Sequence, residues 1–247
     1  MIRSVQQVED SLDNLNNTIY FLYLLSIMIK AIILDFDGVI LESVSVKTEA
    51  FRKLFSHIPK FVDQIVEFHV NNGGMSRYDK FRYIYSNILN ETLTEEQFTY
   101  LCQSFSELVY EGVIKSKFVE GTMNFLEKNY HKLPLYIISA TPEDELIKII
   151  NERAIQKYFI KIYGAPKVKS DCIKDILNIT NYPSNQVIFV GDAINDWKAA
   201  RNTNTRFIGR IKSGDPDIFK NLPNVEIVIN DLNQLRNYIE EEYITKC

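Results

Sequence analysis

Short apolar runs alternate with helical patterns along most of the chain. The first run, Ala31–Phe36, ends in acidic residues, which is typical of a buried parallel strand with a functional carboxyl end. The same pattern predicts strands at Leu135–Ile138, Ile160–Tyr163, Val187–Val190, Arg206–Ile208 and Glu226–Ile229. The spacing between them predicts helices over Glu143–Glu152, Ser170–Thr180, Ile194–Asn202 and Asp231–Glu242. This alternation predicts an α/β fold with an open parallel sheet and helices on both faces.

The stretch between the first two strands has no strand character. Phe51, Leu54, Phe55 and Ile58 follow a helical spacing, and a capping box begins at Thr94. We therefore expect a small bundle of helices that lies over the carboxyl edge of the sheet. The expected organisation is a core of residues 29–43 and 119–247, a helical cap of residues 44–118, and an unassigned extension of residues 1–28.

The extension contains an apolar run, Thr18–Ile29, that is shorter than the roughly 20 residues of a membrane span. Acidic residues precede the run, which is the wrong charge for a signal peptide. We expect no membrane span. The run suits a helix that packs on the body of the protein or forms a homodimer with a second subunit. Translation from Met28 is a further interpretation, because a complete opening strand follows it.

Composition narrows the class of protein. The chain has 247 residues, 46% of them hydrophobic and 24% charged, as in ordinary globular proteins. A formal net charge of −4 argues against a broad nucleic-acid face, so we expect no nucleic-acid partner. The three cysteines lie far apart and form no zinc motif or disulfide framework, so a cytoplasmic location is expected.

The strongest chemical signal is the segment Asp35-Phe36-Asp37-Gly38-Val39. Two carboxylates two residues apart project to one side of an extended chain, and Gly38 permits a sharp turn after them. Such a pair is well placed to hold a divalent cation and to attack an electrophile. Mg²⁺ suits the pair because this ion takes a few carboxylates together with phosphate oxygens.

A second acidic group follows the predicted strand Val187–Val190. Asp192 lies at the strand end, and Asp196 follows one helical turn later. If the two strands are neighbours, up to three carboxylates converge on one ion. Without a cation this crowding is unfavourable, because like charges at close range repel each other.

Two more residues suit an anion. Ser139 ends a strand just before Thr141-Pro142, which we predict as the N-cap and first residue of a helix. Lys169 begins the helix after the next strand, where its ammonium group can reach a phosphoryl group. Lys167 competes with Lys169 for this role.

These four motifs, in this order and each after a strand, resemble the haloacid dehalogenase superfamily, and the helical insert resembles the cap of its C1 subclass. The resemblance covers the chain from about residue 29 to 246. It implies a Rossmann-like core and a Mg²⁺-dependent phosphoryl transfer through an aspartyl-phosphate. It also favours Lys169 over Lys167, because the family places this lysine three residues after the proline.

The resemblance assigns roles to the four acids. Asp35 is implied as the nucleophile and a Mg²⁺ ligand. Asp37 is implied as the general acid and base, with its backbone carbonyl on the metal. Asp192 is implied as a direct metal ligand, and Asp196 as a ligand through water or as the partner that orients Lys169.

The remaining implied residues hold phosphate and select the substrate. Ser139, the adjacent Ala140 and Lys169 are implied as the phosphate-binding group. In C1 caps a polar break between two helices enters the site, and this break contains Gly74, Ser76 and Arg77. We expect Arg77 to contact an anionic or polyhydroxyl substrate, or alternatively to be a solvated residue of a plain turn. Lys80 and His69 are weaker candidates.

The resemblance favours a phosphatase that acts on a small phosphorylated metabolite, such as a sugar phosphate or a phosphoglycolate-like acid. The second acid, Asp37, argues against a haloacid dehalogenase proper and against a phosphonate-cleaving enzyme. A sugar-phosphate mutase of the β-phosphoglucomutase type and a non-catalytic phosphometabolite-binding protein are the alternatives. The acid role of Asp37 calls for a carboxyl group that keeps a proton near neutral pH, which burial under a closed cap favours.

Overall fold

The computed structural model describes residues 28–244 and contains the predicted parallel sheet at its centre. Six strands are paired in parallel in the order β3-β2-β1-β4-β5-β6. Their bounds are β1 Ala31–Leu34, β2 Leu135–Pro142, β3 Lys161–Ala165, β4 Val187–Gly191, β5 Arg206–Arg210 and β6 Val225–Ile229. The central strands β1 and β4 are buried along their whole length, in keeping with their continuous apolar sequences.

Nine α-helices accompany the sheet within the described residues. Their bounds are α1 Val44–Leu54, α2 Val62–Asn71, α3 Arg77–Tyr83, α4 Glu95–Lys115, α5 Thr122–Asn129, α6 Glu143–Glu152, α7 Lys169–Thr180, α8 Ile194–Asn202 and α9 Leu232–Ile244. A π-helical turn, Ile84–Leu89, continues α3. Alternate residues of β1 belong to two separate apolar clusters, with Ile32 in one and Ile33 in the other, so both faces of the sheet are covered. The α/β prediction is confirmed.

The helices α1 to α4 form an insertion between β1 and the rest of the sheet. We call residues 44–118 the helical insert; it contains no strand. The chain leaves and re-enters the core side by side, because Leu41 forms an antiparallel bridge with Phe118. Val119 also donates its backbone N–H to the carbonyl of Ile40 at 3.0 Å. This pairing places the helical insert at the carboxyl end of β1.

The bounds predicted for α6, Glu143–Glu152, are confirmed, but the predicted N-cap, Thr141, is wrong by one residue. Strand β2 continues to Pro142, which is the N-cap, and the helix begins at Glu143. The Thr141 side chain therefore does not cap the helix and instead donates a hydrogen bond to Asp37. The strand runs on because Pro142 pairs with Ala165 of β3 beyond an irregularity in the ladder.

Two predictions concern the ends of the chain. The apolar run proposed as a dimer contact falls almost wholly in residues 1–27, outside the described residues. Within residues 28–244, every helix is too short or too polar to cross a bilayer.

Candidate active site

Three carboxylates meet at the carboxyl ends of the central strands. Asp35 follows β1 and Asp192 follows β4, and these strands pair with Leu34 opposite Val190. Asp196 joins them from the first turn of α8. One ligand oxygen from each of the three side chains lies within 4.8 Å of the others. We call these three residues the carboxylate cluster.

Close backbone approach makes this convergence possible. Gly38 has a φ of +78°, and a Cβ atom there would lie 2.1 Å from Oδ2 of Asp192. Glycine is therefore required both for the left-handed turn and for the space that the Asp192 carboxylate occupies.

Burial and mutual repulsion perturb the carboxylate cluster. Burial, with repulsion from Asp196 and Asp37, raises the pKa of Asp35 to about 7, although the attraction of Lys169 opposes this shift. Burial and repulsion from Asp35 and Asp196 hold the pKa of Asp192 well above its ordinary value. The protein thus brings buried like charges together, which is unfavourable unless a cation joins them.

Lys169 is the lysine beside the cluster. Its Nζ lies 3.1 Å from Oδ1 of Asp35 and 2.5 Å from Oδ1 of Asp196. Burial alone would lower the pKa of Lys169, but attraction to Asp196 and Asp35 outweighs it and raises the pKa. Lys167 instead pairs with Asp175 at the surface. Of the two lysines considered from the sequence, only Lys169 is at the site.

The Asp37 side chain points away from the cluster and toward the helical insert. It forms an ion pair with Lys47 of α1. Ser43 donates its hydroxyl to Oδ1 of Asp37 at 2.6 Å, and Thr141 donates to Oδ2 at 3.1 Å. If Asp37 binds a metal ion, as the resemblance implies, it would do so through its backbone carbonyl and not through its side chain.

The expectation of a proton on Asp37 near neutral pH is wrong for this arrangement. Burial alone would raise the pKa of Asp37, but the charge of Lys47 and the hydrogen bonds from Lys47, Ser43 and Thr141 together hold it below its ordinary value. Asp37 is therefore a carboxylate here. The helical insert buries this acid as expected, but it also brings a cation.

Ser139 and Ala140 lie on the same cavity as Asp35 and Asp37. The Ser139 hydroxyl accepts the backbone N–H of Thr141 at 3.1 Å and lies 3.5 Å from Oδ2 of Asp37. The hydroxyl is thus held at the strand end, beside Asp37 and on the cavity that Asp35 also lines. The cavity has a volume of about 120 Å³ and lies between the sheet edge and the helical insert.

Arg77 reaches this cavity but is already paired. Its guanidinium donates two hydrogen bonds to Glu145 of α6, at 2.8 and 2.7 Å, and one to Ser106 at 2.6 Å. Both charged side chains are at least nine-tenths buried. The pair joins the helical insert to the core. Arg77 is therefore neither the solvated turn residue of the alternative interpretation nor an open cation.

Gly74 and Ser76, the other two residues predicted to select the substrate, shape the backbone of the insert. Gly74 lines the cavity with a φ of +72°, and a Cβ atom on it would lie 3.2 Å from Cβ of Asn195. Ser76 caps α3 by accepting the backbone N–H of Asp79 at 3.2 Å. Gly73 accepts a 2.7 Å hydrogen bond from Asn195 through its carbonyl, so this loop is docked beside the carboxylate cluster.

Sequence reasoning missed Lys47, Thr141 and Glu145 as residues of the site. Lys47 bridges Asp37 and the Thr141 hydroxyl, which it meets at 2.8 Å. Glu145 holds Arg77. The position of Lys47 on the first helix after Asp37 was a usable signal, because that helix must begin next to the site. The partnership of Arg77 with Glu145 had no such signal, since it joins elements far apart along the chain.

The carboxylate cluster fits a magnesium ion. Carboxylate oxygens are ligands that Mg²⁺ prefers, and the ion commonly binds through one or two carboxylates with water and phosphate oxygens completing its shell. Lys169 is the single cation paired with the cluster in the described part of the chain. A bound divalent cation would offset the remaining negative charge.

The fold and this centre define a class: a parallel α/β protein with clustered carboxylates at the carboxyl edge of its sheet. Residues 32–210 match the model of the haloacid dehalogenase-like hydrolases, and the chain belongs to this family. A comparison with curated proteins found no match.

Several solved structures share the fold of this chain. A β-phosphoglucomutase from Clostridium difficile is 22% identical with a TM-score of 0.69, covering 88% of this chain and 98% of its own. A predicted phosphoglycolate phosphatase from Haemophilus somnus is 17% identical with a TM-score of 0.66, covering 85% and 97%. A hydrolase from Pseudomonas syringae is 18% identical with a TM-score of 0.71, covering 86% and 98%. At these identities the likeness shows the fold alone.

Proposed function

We propose that the protein is a Mg²⁺-dependent phosphatase that hydrolyses a small phosphate monoester through a phosphorylated Asp35. The observation that carries the proposal is the position of Asp35. Its carboxylate lies on a cavity, within 4.8 Å of two further carboxylates and 3.1 Å from the Lys169 ammonium. A nucleophile, a cation site and a phosphate-binding lysine thus meet at one point.

Asp35 and Asp192, with the Asp37 carbonyl, would hold the Mg²⁺, and Asp196 would hold Lys169 or a water on the ion. When bound, Mg²⁺ neutralises the charge on the phosphoryl oxygens and on the crowded acids. Lys169 and the Ser139 hydroxyl orient the phosphoryl group for in-line attack.

In the first step an Asp35 oxygen forms a bond to phosphorus as the bond to the ester oxygen breaks. The departing oxygen takes a proton from the ion pair of Lys47 and Asp37. This pair, and not a protonated Asp37 alone, is the proton source that the contacts support. Transfer from the Lys47 ammonium through Asp37 leaves the pair one proton short.

In the second step water attacks phosphorus and the Asp35–phosphate bond breaks. Asp37 accepts the proton of the water, and the proton returns to Lys47, so the pair regains its first state. The hydrogen bonds from Ser43 and Thr141, which lower the pKa of Asp37, remain after the first step and favour its ionised form before the second. Two-step transfer of this kind replaces one difficult displacement by two easier ones.

The test is phosphate release from a generic aryl phosphate with and without Mg²⁺. We expect release only with Mg²⁺, and a loss on the order of 10⁴-fold in kcat for Asp35→Asn. Asp171→Asn, a change at an exposed acid on α7, is the matched control and should keep full activity.

Other outcomes would contradict the proposal. Equal release with a chelator would refute the role of Mg²⁺, and an active Asp35→Asn would refute the nucleophile. No release from any ester of a phosphomonoester panel would favour a binding protein. Isomerised product from a sugar phosphate, in place of free phosphate, would favour a mutase.

A further inference from the structure

A buried ammonium group faces the cavity from the helical insert. Lys80 is only 4% exposed and lines the cavity opposite the sheet edge. Its Nζ contacts Nδ1 and the carbonyl oxygen of His69, each at 3.0 Å. No carboxylate within residues 28–244 pairs with it. An ammonium group has three donors, so one N–H remains for a further acceptor.

His69 adds a second donor. An ammonium can only donate, so Nδ1 of His69 accepts and the neutral ring carries its proton on Nε2. Burial and the neighbouring Lys80 and Lys47 lower the pKa of His69 to about 2, which keeps the ring neutral. The ring also stacks on Phe51, with centroids 4.1 Å apart. The imidazole is thus fixed in position beside the ammonium.

A buried unpaired ammonium is expensive, so this arrangement calls for an anion. Burial and repulsion from Lys47 lower the pKa of Lys80 to about 7, against the attraction of Asp192 and Asp37 across the cavity. A neutral sugar hydroxyl would leave the charge uncompensated. An anionic group that arrives with the substrate would compensate it.

We propose that Lys80 and His69 bind a carboxylate at the far end of the substrate, so that the substrate is a small organic acid phosphate. This inference rests on the proposed phosphatase function. A carboxylate matches the single positive charge, and its two oxygens match the free N–H of Lys80 and the N–H of His69. The cavity volume of about 120 Å³ suits a short acid. The specificity role expected for Arg77 then passes to Lys80, because Glu145 already neutralises Arg77.

The test compares two esters that differ only at that end: 2-phosphoglycolate and 2-hydroxyethyl phosphate. We expect the wild type to prefer the acid by at least about tenfold in kcat/KM, the value of one charged hydrogen bond. Lys80→Met should lower the ratio of the two kcat/KM values at least about tenfold, and Lys80→Arg should restore part of it. Lys53→Met, at an exposed lysine of the same insert, should keep the wild-type ratio.

A binding measurement separates this inference from the phosphatase proposal. Calorimetry on Asp35→Asn with Mg²⁺ should show the same preference for 2-phosphoglycolate without turnover, and Asp35→Asn, Lys80→Met should lose it. Wild-type hydrolysis of both esters at equal kcat/KM would overturn the carboxylate site and leave the phosphatase standing. Equal affinities for the two esters would overturn the site whether or not the protein is a phosphatase. Tighter binding of ethylene glycol bisphosphate than of the acid would also overturn it.

Discussion

The cavity has two walls of opposite charge that are built in different ways. The sheet wall carries Asp35 and Asp192 of the carboxylate cluster, which Asp196 completes and Lys169 partly neutralises. The insert wall carries the cations Lys47 and Lys80. Backbone geometry assembles the first wall, because neighbouring parallel strands end at one edge. Side chains that reach across from helices assemble the second.

This difference shows which contacts hold the site together. The acids of the sheet wall repel one another, so a bound cation would stabilise this wall, whereas the insert wall has cations of its own. Lys47 and Arg77 extend from the insert to Asp37 and Glu145 of the core. The two walls are therefore joined by two ion pairs, Lys47 with Asp37 and Arg77 with Glu145. Breaking one pair should change catalysis, and breaking the other should change stability.

Removal of Arg77 should have the larger effect on stability. Arg77→Met leaves the Glu145 carboxylate buried without its partner, so we expect a loss of about 3–5 kcal/mol in the free energy of unfolding. Denaturant unfolding of the chain measures it. Lys115→Met, which breaks an exposed pair within α4, should change stability by less than about 0.5 kcal/mol. A stable Arg77→Met with a raised KM would instead support Arg77 as a substrate residue.

Removal of Lys47 should act on the chemistry at the junction of the walls. We expect Lys47→Met to lower kcat by about 10²–10³-fold, because the proton source of the first step is lost. The pKa of Asp37 should rise without this cation, so the limb of the rate profile that requires ionised Asp37 should move to higher pH. Lys47→Arg should keep the position of that limb. An unchanged pH profile in Lys47→Met would show that Lys47 does not act through Asp37.

The sheet wall should respond to Mg²⁺ in a pH-dependent way. The pKa of Asp35 is raised above its unfolded value, so its stabilising effect in the metal-free protein is complete below about pH 4 and is lost as pH rises through about 7. Protons compete with Mg²⁺ below that pH, so the apparent affinity for Mg²⁺ should rise up to pH 7 and then level off.

Thermal unfolding at several pH values measures this linkage. At pH 8, Mg²⁺ at 100 times its Kd should stabilise the protein by about 2.7 kcal/mol. Asp192→Asn should lose most of this gain, and Asp171→Asn should keep it. A stabilisation by Mg²⁺ that is independent of pH would mean that the cation binds elsewhere.

The two walls also differ in how far the sequence predicts them. Strand ends are local features, so Asp35, Asp192 and the start of α8 at Ile194 could be identified from apolar runs followed by acids. The environment of Asp37 could not, because its partners Lys47 and Thr141 come from two other elements. Thr141 was misassigned as a helix cap, since the pairing that extends β2 is a tertiary contact.

The insert wall was less predictable for a related reason. Its helices follow from apolar spacing, but spacing does not determine which polar residue of α3 faces the cavity and which faces α6. Arg77 and Lys80 are both basic and lie one turn apart, and only the tertiary structure shows that Glu145 pairs with the first.

Trapping of a phosphorylated Asp35 tests the central claim most directly. Protein mixed with substrate and Mg²⁺ is quenched in borohydride, which reduces an aspartyl-phosphate to homoserine, and the peptide that contains position 35 is analysed by mass spectrometry. We predict homoserine at position 35 only when both substrate and Mg²⁺ are present, and its absence in Asp192→Asn. Rapid phosphate release with Asp35 unmodified, or reduction at a different aspartate, would contradict the account.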